Sequence, residues 1–233
     1  ASLSGGAGTA AAIVGPAAGA LSSACLGIPD PYPAIAIVLG AGILVSFMVM
    51  HLPRLITAPQ DPITWLRALK GLTLASGAFA IAATARRLGR ASGGLDGDRF
   101  SPGFISDRAL FTVSCITMGV YMIYCGYLHL SGPSGVAKLV PSWIPGAVGW
   151  AYFTGIALVL GGAGFWLPRV RRLAAALSCV MICFWVILLH IPDAIASSGF
   201  GSNSTTATFE ALAFSGLALI VAAGSDRGAP ARS

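Results

Sequence analysis

Residues 34–53 read AIAIVLGAGILVSFMVMHLP, and residues 173–192 read LAAALSCVMICFWVILLHIP. Both are long apolar runs closed by the same punctuation, a histidine two places ahead of a proline: His51 before Pro53, His190 before Pro192. A bilayer's hydrocarbon core is about 30 Å thick, and a helix rising about 1.5 Å per residue needs about 20 apolar residues to cross it. Both runs meet that length, and neither alternates with the period of two expected of a barrel strand. They read as transmembrane helices.

Five further stretches have the same character: 8–27, 64–85, 109–130, 148–167 and 206–224. The expected fold is therefore an all-α integral membrane protein of about seven transmembrane helices. Composition agrees, since 56% of the 233 residues are apolar and 9% are charged, whereas soluble domains carry about 25% charged residues. The first stretch is rich in Ala and Gly and contains Pro16. It lacks the basic opening of a secretory signal and counts as a span. In the stretch 148–167, Ala151, Gly155, Gly161, Gly162 and Gly164 predict close helix approach.

With seven spans, loops alternate between two sides. Arg86, Arg87, Arg90, Arg99, Arg108, Arg169, Arg171, Arg172, Arg227 and Arg232 fall on one side, and Arg54, Arg67, Lys70 and Lys138 on the other. That asymmetry is the mark of the positive-inside rule. It predicts a bacterial cytoplasmic membrane protein with its N-terminus external and its C-terminus cytoplasmic. The net charge of +6 then orients the chain and calls for no nucleic-acid partner; the lipid bilayer is the expected one. None of the five cysteines forms a C-x-x-C pair, so neither a zinc site nor a disulfide framework is indicated.

A shift of 139 positions places His51 on His190, Pro53 on Pro192, Ile56 on Ile195, and Ser76-Gly77 on Ser215-Gly216. The shift covers four spans, so the two copies share one orientation, as in parallel repeats. The expected organisation is a three-helix N-terminal repeat at 1–85 lacking one helix, a cytoplasmic linker at 86–108, a four-helix bundle at 109–224, and a polar cytoplasmic tail at 225–233.

From residue 109 to 220 the chain carries, in order, Gly126-Tyr127-Leu128-His129, Leu139-Val140-Pro141-Ser142-Trp143-Ile144-Pro145, Ala151-Tyr152-Phe153-Thr154-Gly155, and Pro168-Arg169-Val170-Arg171-Arg172-Leu173-Ala174-Ala175. This order resembles the DoxX-like four-helix membrane proteins. The resemblance implies a four-helix bundle tied to membrane redox chemistry, because that family takes its name from a small subunit of a thiosulfate:quinone oxidoreductase. It implies a membrane-anchor subunit of a quinone-linked electron-transfer complex rather than an enzyme acting alone, with other membrane or soluble redox subunits as partners.

The three histidines, His51, His129 and His190, all fall at external helix ends. Ionisable groups at the rim of the hydrocarbon are costly and usually face a bundle interior or cavity. Asp61, Arg67, Lys70, Asp193 and Glu210 share that layer. The candidate cofactor-binding residues are His190, His51, His129, Glu210, Asp193 and Trp143, the last in a segment expected at the membrane surface. A histidine would hydrogen-bond a quinone carbonyl while Glu210 or Asp193 relays a proton. Of the two repeated histidines, His190 is favoured, because the resemblance covers it and Glu210 is near it in the chain.

Other readings stand beside this one. Two histidines could ligate a haem or chlorin, or each imidazole could cap its helix end with no cofactor at all. Cys115, Met118, Met122, Cys125 and His129 form a soft-ligand stripe that invites a copper reading, although such stripes more often pack cores. The remaining alternatives are a non-catalytic assembly subunit of a respiratory or photosynthetic complex and a small-solute transporter.

Overall fold

The computed structural model describes residues 32–91, 106–197 and 203–225, and these are helical almost throughout, with no strand among them. The chain divides into two compact units, one reaching Thr117 and the other starting at Met118. In the first unit, α1 (Tyr32–Ser46), a π turn (π1, Phe47–His51) and α2 (Leu52–Thr57) make one rod, followed by α3 (Pro62–Ala91) and the opening of α4 (Asp107–Ser131). The second unit holds the rest of α4, the short α5 (Pro133–Ala137), α6 (Ala147–Trp166), and a rod built from α7 (Arg171–Trp185), π2 (Val186–His190) and α8 (Ile191–Ala196). It closes with α9 (Asn203–Gly224).

Six helical rods are long and apolar enough to cross a membrane: Pro33–Thr57, Pro62–Arg87, Asp107–Ser131, Ala147–Trp166, Arg171–Ala196 and Ser204–Gly224. They match six of the seven expected stretches. The seventh, 8–27, and most of the tail at 225–233 lie outside the described residues. Large apolar side chains such as Phe153, Ile156 and Leu160 on α6 and Leu173, Leu177 and Phe184 on α7 stay exposed, a surface compatible with lipid contact.

The two prolines explain the two π turns. Proline has no N–H to donate, and its ring crowds the carbonyl four residues back, here Val49 for Pro53 and Leu188 for Pro192. The rods continue by widening one turn instead of stopping. Leu52 N–H reaches Phe47 O and Ile191 N–H reaches Val186 O, each spanning five residues in place of four. Each widened turn ends on its histidine.

Both ends of α3 are fixed by side chains. At its start Asp61 accepts the Ile63 N–H on Oδ1 at 3.1 Å, and on Oδ2 the Thr64 N–H at 3.1 Å and the Thr64 hydroxyl at 2.6 Å. Pro62 occupies the first helical position, where a missing N–H costs nothing. At the other end Arg86, 4% exposed, donates through Nε at 2.9 Å and through Nη2 to Asp107 Oδ1. The segment expected as a linker, 86–108, thus begins and ends in helix, since α3 runs to Ala91 and α4 starts at Asp107. Arg86 is a buried partner rather than a loop cation. Between these ends Ser76 Oγ meets Thr117 Oγ1 at 2.6 Å, and Thr73 Oγ1 donates to Leu69 O at 2.8 Å.

Glycines set the second unit. A Cβ on Gly162 would lie 2.7 Å from Gly119 O, and one on Gly126 would lie 2.7 Å from Gly155 O. The pairs Gly119/Gly162 and Gly126/Gly155 recur at the same interval on both helices, so α4 and α6 run antiparallel in backbone contact over two turns. Between α6 and α7, Gly164 leaves the room that the Ala174 methyl fills.

Two measurements test these contacts. Arg86→Ala takes its ion-pair partner from a half-buried carboxylate and should cost roughly 1–3 kcal/mol of stability. A double variant, Arg86→Met with Asp107→Leu, should recover most of the loss in thermal unfolding of the detergent-solubilised chain. Asp61 is held below the ordinary carboxylate range, first by the Thr64 hydroxyl and then by the Ile63 N–H. Its contribution is therefore full above the unfolded value of about 3.9 and fades as pH falls through the lower folded value. Asp61→Ala should lower the melting temperature at neutral pH, and the gap from wild type should narrow in acid.

Candidate functional site

The second unit gathers its polar and aromatic groups from three helices. On α4, Tyr121, Cys125 and His129 recur every four residues and so share one face. His129 Nδ1 hydrogen-bonds Cys125 O at 2.8 Å. Because a carbonyl can only accept, that nitrogen carries the proton and Nε2 keeps its lone pair. The Trp185 ring stacks on His129, with centroids 6.2 Å apart and planes 13° off parallel. Gly155 makes room for this arrangement, since a Cβ there would lie 2.9 Å from the His129 Cβ.

One turn before Cys125 on α4, Tyr121 stacks on Phe214 of α9, centroids 4.6 Å apart at 18°. Glu210 lies one turn before Phe214, and its charge reaches both Tyr121 and the His190 ring. Asp193, in the first turn of α8, reaches His190 as well. The Thr208 hydroxyl donates to His190 O at 3.0 Å, tying π2 to α9. The charges of Asp193 and Glu210 thus both bear on the His190 ring, while His129 is held within α4 by its bond to Cys125 O.

Two of the expected residues stand apart. Trp143 lies between α5 and α6, is 70% exposed, and takes no part in these contacts. His51 belongs to the first unit. Its ring lies against α3, with Cδ2 3.6 Å and Nε2 3.8 Å from the place a Cβ on Gly71 would occupy, and Phe47 is 6.2 Å away. The charges that reach it are those of Arg54, Arg67 and Lys70. The repeated histidines thus have opposite surroundings, cationic at His51 and acidic at His190.

Sequence reasoning missed Tyr121, Trp185, Thr208 and Phe214 as contributors. The signal for Tyr121 was its four-residue spacing from Cys125, itself four from His129; the others depend on which helix faces which. The soft-ligand stripe separates into two groups. Cys115, Met118 and Met122 are buried core side chains, whereas Cys125 and His129 join the face described above. No three of His, Cys, Asp and Glu converge as a metal site among the described residues. A separate pair on α7, Cys179 and Cys183, shares the buried Ser215 hydroxyl, at 3.4 Å and 2.8 Å.

The arrangement offers an imidazole that feels two carboxylate charges, and flat ring faces on Tyr121, Phe214 and Trp185. Such a set can take up and pass on protons and can stack a planar ring. Residues 118–223 match a domain of unknown function (DUF8561), and the match opens on Met118, the residue that also opens the second unit. No curated protein and no solved structure matches the chain.

The glycine contact behind His129 can be tested directly. Gly155→Val should force α4 and α6 apart, lowering stability by about 1–3 kcal/mol and altering Trp185 fluorescence. Gly149→Ala, on the same helix with nothing within 4 Å of the new methyl, should leave both unchanged.

Proposed function

We propose that the chain spans a bacterial cytoplasmic membrane as a subunit of an electron-transfer assembly, and that the His190 end of its second unit holds the head group of a quinone or quinol. The observation that carries this reading is the tie of the His190 turn to α9 through the Thr208 hydroxyl, with the charges of Asp193 and Glu210 both bearing on the His190 ring and the Tyr121–Phe214 stack one turn along α9 from Glu210. A quinone head group is a planar ring with oxygens at opposite ends. It calls for stacking faces, an N–H donor to a carbonyl oxygen, and a base for the proton released when quinol is oxidised.

In that reaction both quinol O–H bonds break. One proton passes to the His190 ring nitrogen and on to Glu210 or Asp193, and the second leaves by the same carboxylates. The two electrons go to a redox centre on a partner subunit, which is the group reduced. The resemblance of residues 109–220 to DoxX-like proteins supports this placement in redox chemistry. Two five-residue π turns at His-x-Pro sequences 139 positions apart support parallel repeats. The arginine asymmetry supports a cytoplasmic side that takes Arg86, Arg169 and the C-terminal tail.

A second reading is a non-catalytic assembly subunit, favoured by the exposed aromatic pair on α6, Trp150 and Phe153, whose rings meet edge to face. The two separate in the assembled complex. His190→Ala and Glu210→Gln should each slow quinone turnover by about 10²-fold at unchanged complex yield. Wild-type turnover in both variants would overturn the quinone role, and reduced yield at normal turnover would favour assembly.

A further inference from the structure

We infer that Cys179 and Cys183 of α7, with the Ser215 hydroxyl of α9, form a binding site for a soft monovalent metal ion of the Cu(I) class. The two sulfurs converge on one oxygen: Ser215 Oγ lies 3.4 Å from Cys179 Sγ and 2.8 Å from Cys183 Sγ. Cysteines four apart share one face of a helix, and Ser215, 3% exposed, closes that face from α9. All three residues fall near the middle of their rods, Arg171–Ala196 and Ser204–Gly224.

Hydroxyls in the helices of this chain commonly turn back on their own helix, as Thr73 does to Leu69 O, Thr154 to Trp150 O and Ser225 to Val221 O. Ser215 does not. Its bonds cross to α7, to the two sulfurs and to Cys179 O at 3.4 Å. The 139-residue shift sets Gly40 against Cys179, Leu44 against Cys183 and Ser76 against Ser215. The first unit thus keeps the serine, which there donates to Thr73 O on its own helix, and carries no sulfur at the other two positions.

Spacing decides between the two uses of paired thiols. A disulfide needs Cβ atoms about 3.8 Å apart, whereas residues four apart on a helix hold theirs about 5–6 Å apart. An ion between the sulfurs asks for no such approach, since a metal–thiolate bond is itself about 2.3 Å long. Among the described residues no third His, Cys, Asp or Glu joins the pair. The set falls short of the four ligands that zinc takes and suits a soft ion held by two sulfurs. Binding breaks one S–H bond and forms two metal–sulfur bonds. The proton leaves to water and no electron moves, so the net charge of the site stays unchanged in apolar surroundings. The Ser215 O–H then donates to the sulfur left anionic.

Silver(I), a redox-stable stand-in for Cu(I), is the probe. Native mass spectrometry of the full detergent-solubilised chain should show one tightly held Ag(I). Cys179→Ser and Cys183→Ser should each weaken its retention more than about tenfold, and Ser215→Ala about fivefold, while Cys115→Ala leaves it unchanged. Zn(II) in excess should not displace it. Wild-type retention in both cysteine variants would overturn the site, as would displacement by Zn(II) or loss confined to Cys115→Ala. Should the cysteine variants fail to fold, the wild-type chain decides. Bound Ag(I) should shield Cys179 and Cys183 from N-ethylmaleimide, read by peptide mass, and equal labelling with and without the ion would overturn the proposal. These substitutions leave His190 and Glu210 intact, so failure here does not bear on the quinone reading.

Discussion

A missing backbone donor shapes both histidine ends. Pro53 and Pro192 cannot close an α-turn, and a rod that must keep its carbonyls satisfied in apolar surroundings cannot simply break off there. It inserts one residue and carries on, as the Leu52 to Phe47 and Ile191 to Val186 bonds record. One extra residue in a helix of 3.6 per turn swings everything beyond it by about 100°. The widened turn therefore decides how His51 and His190 are presented, and which side chains follow them: Arg54 in one unit, Asp193 in the other.

What holds the second unit's residues in register is backbone contact. Gly119 and Gly126 let α4 approach α6 more closely than any side chain would permit, and Tyr121, Cys125 and His129 ride on that same stretch of α4. The polar face is thus positioned by residues that have no side chain. In the first unit, small side chains and hydroxyls take this role, with Ala75, Ala78 and Ala82 buried on α3 and Ser76 joined to Thr117.

Much of the fold was legible because an apolar run of the right length has few other uses. Six spans appear where the hydropathy places them, extended by a few residues at their ends. The polar stretch after residue 85 read as a solvated linker, since nothing local reveals that Arg86 will find Asp107, 21 positions on. The surroundings of His190 were half legible. His190, Asp193 and Glu210 are close in sequence or share an end, but Tyr121, Phe214 and Trp185 depend on facing helices. Spacing alone also could not divide the sulfur-rich stripe of α4 between core and polar face. The DoxX-like resemblance carries the redox reading as a proposal, while the matching family model covers a domain of unknown function.

The Arg86–Asp107 pair has one more implication. It fastens the last turns of α3 to the first residue of α4, so the distance between those two helix ends is set by an ion pair and not by the chain that joins them. The spacing of the two ends is then sensitive to charge rather than to chain length, so a change that neutralises either partner would release it.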